Sequence, residues 1–379
     1  MFEFTEEQMM IKETVRKLGV EKFGPRAEEI DKTGEFPYDI VKILGENGLL
    51  QLPLPEKYGG IEADNTTLCL VAEELAKHCT TSSTLVCIQG SNIKVINRGG
   101  NEEQKERFFT RLGNGELTAF ALTEASGGSD VGAMKTKAVR DGDVYVVNGT
   151  KCFITCGGVA DLLPLFVMTD PSKGLKGGVS GFVLEKGTPG FKIGKKEDKM
   201  GAKGAPVYEL ILEDAQIPVK NLLGNEGEGL QIALAAVNLT RLTVGSQSVG
   251  IAQGALDFAI QYAKERVQFG KPIATFQGMQ FKLADMAMKL EAARSLIYRA
   301  AFMADQGVAE VAGLSSMAKC FATEAAVDIT LEAVRVLGGY GYMKDYPQER
   351  RFRDSVACLF MEGTAEIQRV NIARFLLKK

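Results

Sequence analysis

Hydrophobic residues in the first third of the chain recur at helical spacing. Ile11 and Val15 are four apart, and side chains three or four apart lie on one side of an α-helix. Thr5 before two glutamates is typical of a helix start, and Asn101 before two glutamates is another. The pattern predicts an α-helical N-terminal domain over residues 1–117.

After residue 117 the pattern changes to short apolar runs separated by glycine and polar turns. The runs typical of β-strands are 117–122, 144–149, 162–168, 180–184 and 207–212. Asp141-Gly142-Asp143 fits a hairpin turn. No long helical pattern interrupts these runs, so we predict a compact antiparallel β domain over 118–228 rather than a doubly wound sheet. Neither a G-x-G-x-x-G run after a strand nor a P-loop occurs.

Helical periodicity returns from residue 229. The long amphipathic runs are 251–267, 279–305 and 311–336. With the remaining C-terminal segment they predict a four-helix bundle over 229–379. The predicted fold class is therefore α+β and multidomain: an N-terminal α-helical domain, a middle antiparallel β domain and a C-terminal four-helix bundle.

Composition narrows the function classes. The 379 residues suffice for three domains, and a net charge of −3 gives no electrostatic reason to expect nucleic acid or an anionic membrane as partner. No apolar run is long enough to span a bilayer and no basic leader precedes Phe4. We therefore expect a cytoplasmic protein without membrane insertion.

The metal-ligating residues are few. Seven cysteines are scattered without paired spacing, which is typical of reduced, buried thiols. The single histidine, His78, has no motif around it and is predicted on a helix surface. We therefore expect no metal site, and no Ser-His-Asp triad.

The most distinctive candidate is a carboxylate near the end of the chain. Glu362 follows the apolar run 356–361 and precedes Gly363. Glycine there indicates a turn or a close backbone approach. An acid among apolar residues has a raised pKa, which suits a base that takes a weakly acidic proton. The alternative is that Glu362 simply starts the last helix, with Thr364 as its cap.

Three further segments are candidate ligand contacts. The small, hydroxyl-rich run 123–131 follows a strand and would let the backbone approach a flat or phosphorylated ligand. Alternation places Phe153 and Thr155 on one strand face. The run 266–272 ends a helix with Arg266, an aromatic residue, glycine and proline. Each segment has a purely structural alternative. The run 123–131 would be an ordinary hairpin, and Phe153 would be a core residue beside an exposed Thr155. Arg266 would be a cation that complements the dipole at a helix end.

Taken together in order, these segments resemble the acyl-CoA dehydrogenase family over essentially the whole chain, and within it the short-chain, butyryl-CoA dehydrogenase-like flavoproteins. The motifs are 122–130, Phe153-Ile154-Thr155, Lys199-Met200-Gly201, 266–272, 281–286, 337–341 and Glu362-Gly363-Thr364. The ordered set is specific, although each motif alone is weak.

The resemblance implies that Glu362 is the base that removes the α-proton of an acyl-CoA thioester while FAD takes a hydride. Some relatives carry that base just before the arginine matched by Arg241, where this chain has Thr240. The implied FAD-binding residues are Leu122, Thr123, Ser129, Phe153, Thr155, Arg266, Gln268, Phe269, Arg335, Gly338, Gly339, Thr364 and Glu366. Arg266 and Phe269 are implied to reach the FAD of a neighbouring subunit, so a homotetramer is expected. Electron-transfer flavoprotein is the implied electron acceptor.

Substrate contacts are implied at Gln89, Ser91, Asn92, Ser129, Asn238, Arg241, Met361 and Gly363. Two of these regions depart from the sequence that is usual in the family. The segment 88–94 differs from the family's run there, and Met361 replaces a tyrosine. An alicyclic, branched or carboxylated short acyl group would fit that difference, and ordinary butyryl-CoA specificity is the alternative. Two rival functions are an acyl-CoA oxidase that uses O₂ and a non-catalytic helical scaffold.

Overall fold

The computed structural model describes residues 3–308 and 311–377. The N-terminal helices are α1 Glu6–Leu18, α2 Ala27–Thr33, α3 Tyr38–Glu46, α4 Asn65–His78, α5 Thr80–Gly99 and α6 Glu102–Gly113. A π-helical turn, Gly19–Phe23, continues α1. These elements confirm the predicted helical N-terminal region.

Two of the predicted helix starts are capping boxes. The Thr5 hydroxyl accepts from the Gln8 backbone N–H at 3.1 Å, and the Gln8 side chain accepts from the Thr5 N–H at 3.1 Å. Asn101 and Gln104 make the same reciprocal pair at 2.8 and 2.9 Å. Each box satisfies N–H groups that have no partner inside the helix.

The middle region forms a sheet of strands in the order β5-β6-β2-β1-β3-β4-β7. The strands are β1 Lys137–Asp141, β2 Val144–Thr155, β3 Leu162–Met168, β4 Val179–Glu185, β5 Phe191–Lys196, β6 Val207–Pro218 and β7 Leu222–Leu223. The predicted hairpin turn is confirmed, since Gly142 joins β1 to β2 with φ of 58°.

The prediction of a purely antiparallel sheet is wrong in one pair. Strand β3 lies beside β1 and runs parallel to it, with Lys137 opposite Met168. The chain leaves β2 and crosses to the other side of β1, so β3 takes the direction of β1. The sheet is therefore mixed.

The predicted strand 117–122 is reduced to isolated parallel bridges against β3. Thr118 pairs with Leu162 and Ala121 with Leu165. Pro164 lies between these bridges and has no N–H to donate, so the ladder is interrupted there.

The C-terminal region is helical and completes the predicted fold class. Its elements are α7 Gly229–Glu265, the short strands β8 Val267–Gln268 and β9 Lys271–Pro272, α8 Gln277–Asp305, α9 Val311–Leu337, α10 Gln348–Cys358 and α11 Ala365–Leu376. Helices α7, α8 and α9 share one core, to which α4 contributes Cys69 and Leu70. Both α10 and α11 pack on α9.

Helix α7 begins well before the predicted residue 251. Its residues 240–252 are all buried, so this part lacks the polar face that signals an amphipathic helix. The predicted domain limits at 117/118 and 228/229 stay predictions. The nearest element ends are Gly113 of α6 and Gly229 of α7.

Two expectations about single residue types have different outcomes. The seven cysteines are free and buried, as predicted. His78 was wrongly predicted on a helix surface: its side chain is only 18% exposed and its ring packs over Gly19, where an added Cβ would come within 2.4 Å. Within residues 3–308 and 311–377, no helix combines the length and apolarity that crossing a bilayer requires.

Candidate active site

Glu362 lies in the turn that joins α10 to α11. Helix α11 begins at Ala365, and the Thr364 hydroxyl caps it by accepting from the Ile367 N–H at 3.3 Å. Glu362 has φ of +53° and Gly363 has φ of +93°. The alternative in which Glu362 starts the last helix is therefore wrong, although Thr364 is a cap. A left-handed conformation costs a non-glycine residue about 1–2 kcal/mol, so the surrounding contacts must maintain it.

Buried donors hold the backbone of this turn. The Lys319 ammonium donates to the carbonyls of Leu359 at 3.0 Å and Gly363 at 2.8 Å. The Gln368 side chain donates to the carbonyls of Glu362 and Gly363, both at 3.0 Å. Lys319 and Gln368 are fully buried, so these bonds are shielded from competing water.

Burial raises the pKa of Glu362, as the sequence predicted. The Arg241 guanidinium, a hydrogen bond from the Thr240 hydroxyl and the Lys319 ammonium oppose this rise without cancelling it. Burial also lowers the pKa of Lys319 to about 8. A carboxylate with a raised pKa binds a proton more strongly, which makes Glu362 a competent base.

Arg241 is held in place beside the turn. It donates to the Asn238 side-chain oxygen at 2.7 Å and to the Ser316 hydroxyl at 3.3 Å. Its Nε lies 3.4 Å from the Glu362 carbonyl oxygen, to which it donates. The structure thus brings Asn238, Arg241, Glu362 and Gly363 together, as the sequence predicted.

A narrow cavity with about 10 Å³ of free space lies between α4, α5 and α7. Its lining residues are Leu68, Val86, Cys87, Gly90, Ser91, Lys94, Thr240 and Thr243. Glu362 does not line this cavity, but Thr240 does, and the Thr240 side chain is near enough to the Glu362 carboxylate to lower its pKa. Met361 is half-buried and packs on Cys358 and Ile251 nearby.

Two of the three predicted α5 contacts do not line this cavity. The Gln89 amide donates to the Glu116 carbonyl at 2.8 Å and accepts from the Thr118 N–H at 3.1 Å. The Asn92 amide donates to the Ile88 carbonyl at 3.0 Å. Helical rotation explains the difference, because the α5 face at the cavity carries Cys87, Gly90, Ser91 and Lys94. Sequence reasoning missed Cys87, Lys94 and Thr243.

The hydroxyl-rich loop after Leu122 is anchored by a buried ion pair. The Lys151 ammonium, fully buried, lies 2.7 Å from the Glu124 carboxylate and donates to the Leu122 carbonyl at 3.0 Å. Glu124 also accepts from the Lys135 N–H at 2.7 Å. Leu122 and Thr123 are half-buried and Ser129 is exposed. No sequence pattern predicted this ion pair, because its two residues are far apart in the chain.

Phe153 and Thr155 are on the outer side of β2, as predicted, but through a bulge. The pairing of β2 with β6 shifts register between Lys151 and Ile154, and Phe153 has φ of +57°. Its ring is 65% exposed, while Thr155 is half-buried. An exposed aromatic ring held at positive φ is suited to contact a flat ligand.

A second cavity, open to solvent and of about 590 Å³, lies at the C-terminal end of α7 and α9. It brings together Arg266, Gln268, Arg335, Gly338 and Gly339, all predicted to contact FAD. A Cβ added at either glycine would meet nothing within 4 Å, so the backbone is open to the cavity. Two guanidinium groups beside open backbone suit a phosphate-bearing group, so this donor set fits the diphosphate of a dinucleotide.

The remaining predicted residues are at the periphery. Phe269 is 93% exposed with φ of +51°. Thr364 is half-buried and Glu366 is exposed on α11. Of the described residues lining the second cavity, none is in the seven-stranded sheet of the middle region. One chain therefore does not gather all the predicted FAD contacts in one place.

Comparison with known proteins agrees with this geometry. Residues 5–116, 119–215 and 227–377 match the models of the N-terminal, middle and C-terminal domains of acyl-CoA dehydrogenase. The chain belongs to the acyl-CoA dehydrogenase family. As a member it is a flavin-dependent oxidoreductase whose cofactor is FAD. The chain is similar to the acyl-CoA dehydrogenase of Bacillus subtilis (strain 168), with 46% identity over 375 residues, 98% of each chain.

Solved structures of the family also match over the full length. Butyryl-CoA dehydrogenase from Megasphaera elsdenii has a TM-score of 0.97 and 40% identity, with both chains fully covered. A chain in a structure reported for the electron transferring flavoprotein of Acidaminococcus fermentans has a TM-score of 0.97 and 42% identity, again with full coverage of both chains. In the described part of this acyl-CoA dehydrogenase, His, Cys, Asp and Glu form no group of three that could hold a metal ion.

Proposed function

We propose that this acyl-CoA dehydrogenase converts a short-chain acyl-CoA thioester to the 2-enoyl-CoA, with Glu362 as the α-proton base and electron-transfer flavoprotein as the electron acceptor. The observation that carries the proposal is the buried Glu362 carboxylate, whose pKa burial raises, held beside Arg241 and close to Thr240, which lines a small cavity.

The residues around Glu362 suit proton removal from carbon. The α C–H of a thioester is a weak acid, so the base must be poorly solvated and well positioned. Thr240 and Arg241 contact Glu362 from α7, while Lys319 and Gln368 fix its backbone. The backbone that carries the carboxylate is thus held in place before substrate arrives and need not reorganise during proton transfer.

Two sets of residues would hold FAD. Leu122, Thr123, Ser129, Phe153 and Thr155 would contact it from the β domain, with Thr364 and Glu366 nearby. Arg266, Gln268, Phe269, Arg335, Gly338 and Gly339 would contact its phosphates and adenosine from a neighbouring subunit. FAD, when bound, supplies the acceptor for the hydride that leaves the substrate β-carbon.

Because the residues proposed to hold FAD form two separate sets, we expect a homo-oligomer, a tetramer. The second cavity and the β-domain contacts are at separate places in one chain, and Phe269 projects almost fully into solvent. Pairing of subunits would complete each FAD site. Electron-transfer flavoprotein is proposed as the partner because the similar Acidaminococcus fermentans chain comes from a structure reported for such a protein.

The first cavity is tight, with about 10 Å³ of free space between hydroxyl and apolar side chains, which favours a short acyl group over a long one. Butyryl-CoA is therefore the reference substrate. Alicyclic, branched and carboxylated short acyl groups are the other members of the proposed substrate class.

Glu362→Gln tests the role of the base. We expect kcat with butyryl-CoA to fall about 10³-fold or more, while FAD absorbance per protomer stays unchanged because Gln368, Lys319 and Arg241 hold the backbone rather than the carboxylate. Glu102→Gln, on the exposed first turn of α6, is the matched control.

Near-normal activity in Glu362→Gln would refute the proposed base. The acceptor is tested separately by comparing turnover with electron-transfer flavoprotein and peroxide formation in air. Rapid peroxide formation without activity toward the flavoprotein would indicate an acyl-CoA oxidase. A preparation without flavin absorbance would indicate a non-catalytic helical scaffold.

A further inference from the structure

Arg353 of α10 lies where the three regions of the chain meet. Its guanidinium donates to both carboxylate oxygens of Asp31 on α2, at 2.8 and 2.6 Å, and to both oxygens of Glu349, one turn earlier on α10, at 2.6 and 2.9 Å. It also donates to the Met200 carbonyl, in the loop between β5 and β6, at 2.8 Å. These bonds use all five N–H donors of the guanidinium. We call Arg353 and these three partners the Arg353 network.

The Arg353 network is poorly accessible to water. The Arg353 side chain is 17% exposed, that of Asp31 14% and that of Glu349 16%. Burial acts to raise the pKa of Asp31, but the hydrogen bonds and the charge of Arg353 lower this pKa overall, so the carboxylate is ionised at neutral pH. Loss of one partner would therefore leave a charged group without a matching donor or acceptor.

The loop between β5 and β6 is pressed against α10 next to this network. The Asp354 carboxylate accepts from the Ala202 N–H at 2.6 Å, and Ala202 has φ of +49°. A Cβ added at Gly201 would come within 2.6 Å of the Arg353 carbonyl group, so the two backbones are in direct contact. The Lys199 ammonium closes the loop from within by donating to the Ala202 carbonyl at 2.7 Å.

This contact lies between the two halves of the proposed site. On one side, α10 ends at Cys358 and leads into the turn that carries Glu362. On the other side, the loop leads into β6, whose first residue, Val207, is opposite Thr155 of β2. The Arg353 network therefore connects the element that carries the base to the strand position proposed to contact the flavin.

We propose that Arg353 is a positioning residue, which sets the distance between the Glu362 carboxylate and the flavin contacts of β2 by fixing α10 to the loop between β5 and β6. This inference rests on the proposed function. It assigns part of the rate to a side chain that touches neither the acyl group nor the cofactor.

The proposed chemistry makes this distance important. The substrate loses a proton from its α-carbon to Glu362 and a hydride from its β-carbon to FAD, while the electrons of the α C–H bond form the new double bond. The base and the hydride acceptor must therefore reach two adjacent carbons at the same time. A misplacement of about 1 Å lowers such a rate about 100-fold. A small movement of α10 relative to β2 would do so without weakening substrate binding.

Two variants loosen the Arg353 network to different degrees. Arg353→Lys keeps the charge, but one ammonium cannot replace a planar fork of five donors. Asp31→Asn removes the charge on α2 while Glu349 still holds Arg353, so this variant is expected to fold even if the first does not. The matched control is Arg111→Lys. Arg111 is 29% exposed and joins α6 to Glu185 of β4, which lies away from β2 and β6 in the sheet.

The first measurement is the rate of flavin reduction in the holoenzyme at saturating butyryl-CoA, below the melting temperature of each variant. We expect a fall of about 100-fold in Arg353→Lys, a smaller fall in Asp31→Asn and the wild-type rate in Arg111→Lys. The dissociation constants of butyryl-CoA and FAD should stay unchanged in all three. A merely structural Arg353 would lower the melting temperature of Arg353→Lys and Arg111→Lys alike and leave the reduction rate unchanged.

The second measurement is amide hydrogen exchange of the apoprotein at residues 202–207, which needs no turnover. Exchange there should be about 10-fold faster in Arg353→Lys, the effect of losing one hydrogen bond to a charged group, and unchanged in Arg111→Lys. Wild-type reduction rates in both Arg353→Lys and Asp31→Asn, or an equal loss of rate in Arg111→Lys, would overturn the inference.

Failure of the proposed function has a different signature. In that case no thioester would reduce the flavin of the wild type. Amide exchange would still show whether Arg353 fixes the loop between β5 and β6, and unchanged exchange in Arg353→Lys would overturn the inference by itself.

Discussion

The turn that carries Glu362 and the two separate exposed sites that carry Phe153 and Phe269 are built in opposite ways. Both contain non-glycine residues at positive φ. In the first, buried Lys319 and Gln368 hold the strained backbone from within the same chain. In the second, Phe153 and Phe269 are exposed. Strain that the protomer itself supports indicates a preorganised base, whereas strain at an exposed aromatic residue indicates a surface that a ligand or a second subunit completes.

The variant Lys319→Met tests most directly whether buried donors support the Glu362 turn. Two carbonyls of the base turn lose a buried donor, which costs about 1–3 kcal/mol each, so we expect kcat to fall about 100-fold with FAD retained. Lys319 opposes the raised pKa of Glu362. Removing it should raise that pKa further and move the acidic limb of the kcat/KM profile to higher pH, because only the deprotonated carboxylate accepts the α-proton.

Steady-state rates from pH 5 to 9 check this prediction. Lys289→Met is the control, since Lys289 forms an exposed ion pair with Asp328 at 2.8 Å. A Lys319→Met enzyme with normal kcat and an unmoved acidic limb would mean that the turn is stable without its buried cation.

A smaller effect is expected on the cofactor side from Arg266→Ala. Arg266 lies over the Tyr340 ring at 5.3 Å and lines the second cavity. Loss of one guanidinium contact to a phosphate should weaken FAD binding roughly 10-fold, while α7 stays folded because Arg266 lies just beyond its end. FAD titration of the apoprotein measures the change, with exposed Arg299→Ala of α8 as control. Equal FAD affinity in both variants would contradict the assignment of this cavity.

The smallest effect on stability is expected from Phe153→Ala. Because the ring is 65% exposed, its truncation should change the free energy of unfolding of the apoprotein by no more than about 0.5 kcal/mol. The flavin absorbance spectrum of the holoprotein should shift, since the ring is proposed to contact the flavin. Denaturant titration and the visible spectrum together check this. A large loss of apoprotein stability would show that Phe153 is a packing residue instead.

The sequence predicted local features best. The helix starts at Thr5 and Asn101 were predicted because a cap acts on the neighbouring turn. The raised pKa of Glu362 was predicted because its apolar run and glycine are adjacent in the chain. Features that depend on distant partners were missed. Three such features arise from contacts between segments remote in sequence: the parallel placement of β3 beside β1, the pairing of Lys151 with Glu124, and the position of Lys319 beside the Glu362 turn.

The substrate contacts at Gln89, Ser91 and Asn92 stay predictions, and only Ser91 of the three lines the cavity. The rotation of α5 about its axis, however, is set by packing against α4 and α7. A shift of one residue turns a side chain by about 100°, so neighbours of a lining residue point elsewhere.

The length of helix α7 fixes the distance and rotation between residues at its middle and at its end. It carries Thr240 and Arg241 beside the base and ends at Arg266, about 38 Å further along at 1.5 Å per residue. One helix therefore sets the distance between the proposed catalytic centre and the residue proposed to reach the FAD of a neighbouring subunit. A single inserted residue between these points would rotate Arg266 by about 100° relative to Arg241. The length of α7 should accordingly tolerate insertions and deletions far less than its side chains tolerate exchange.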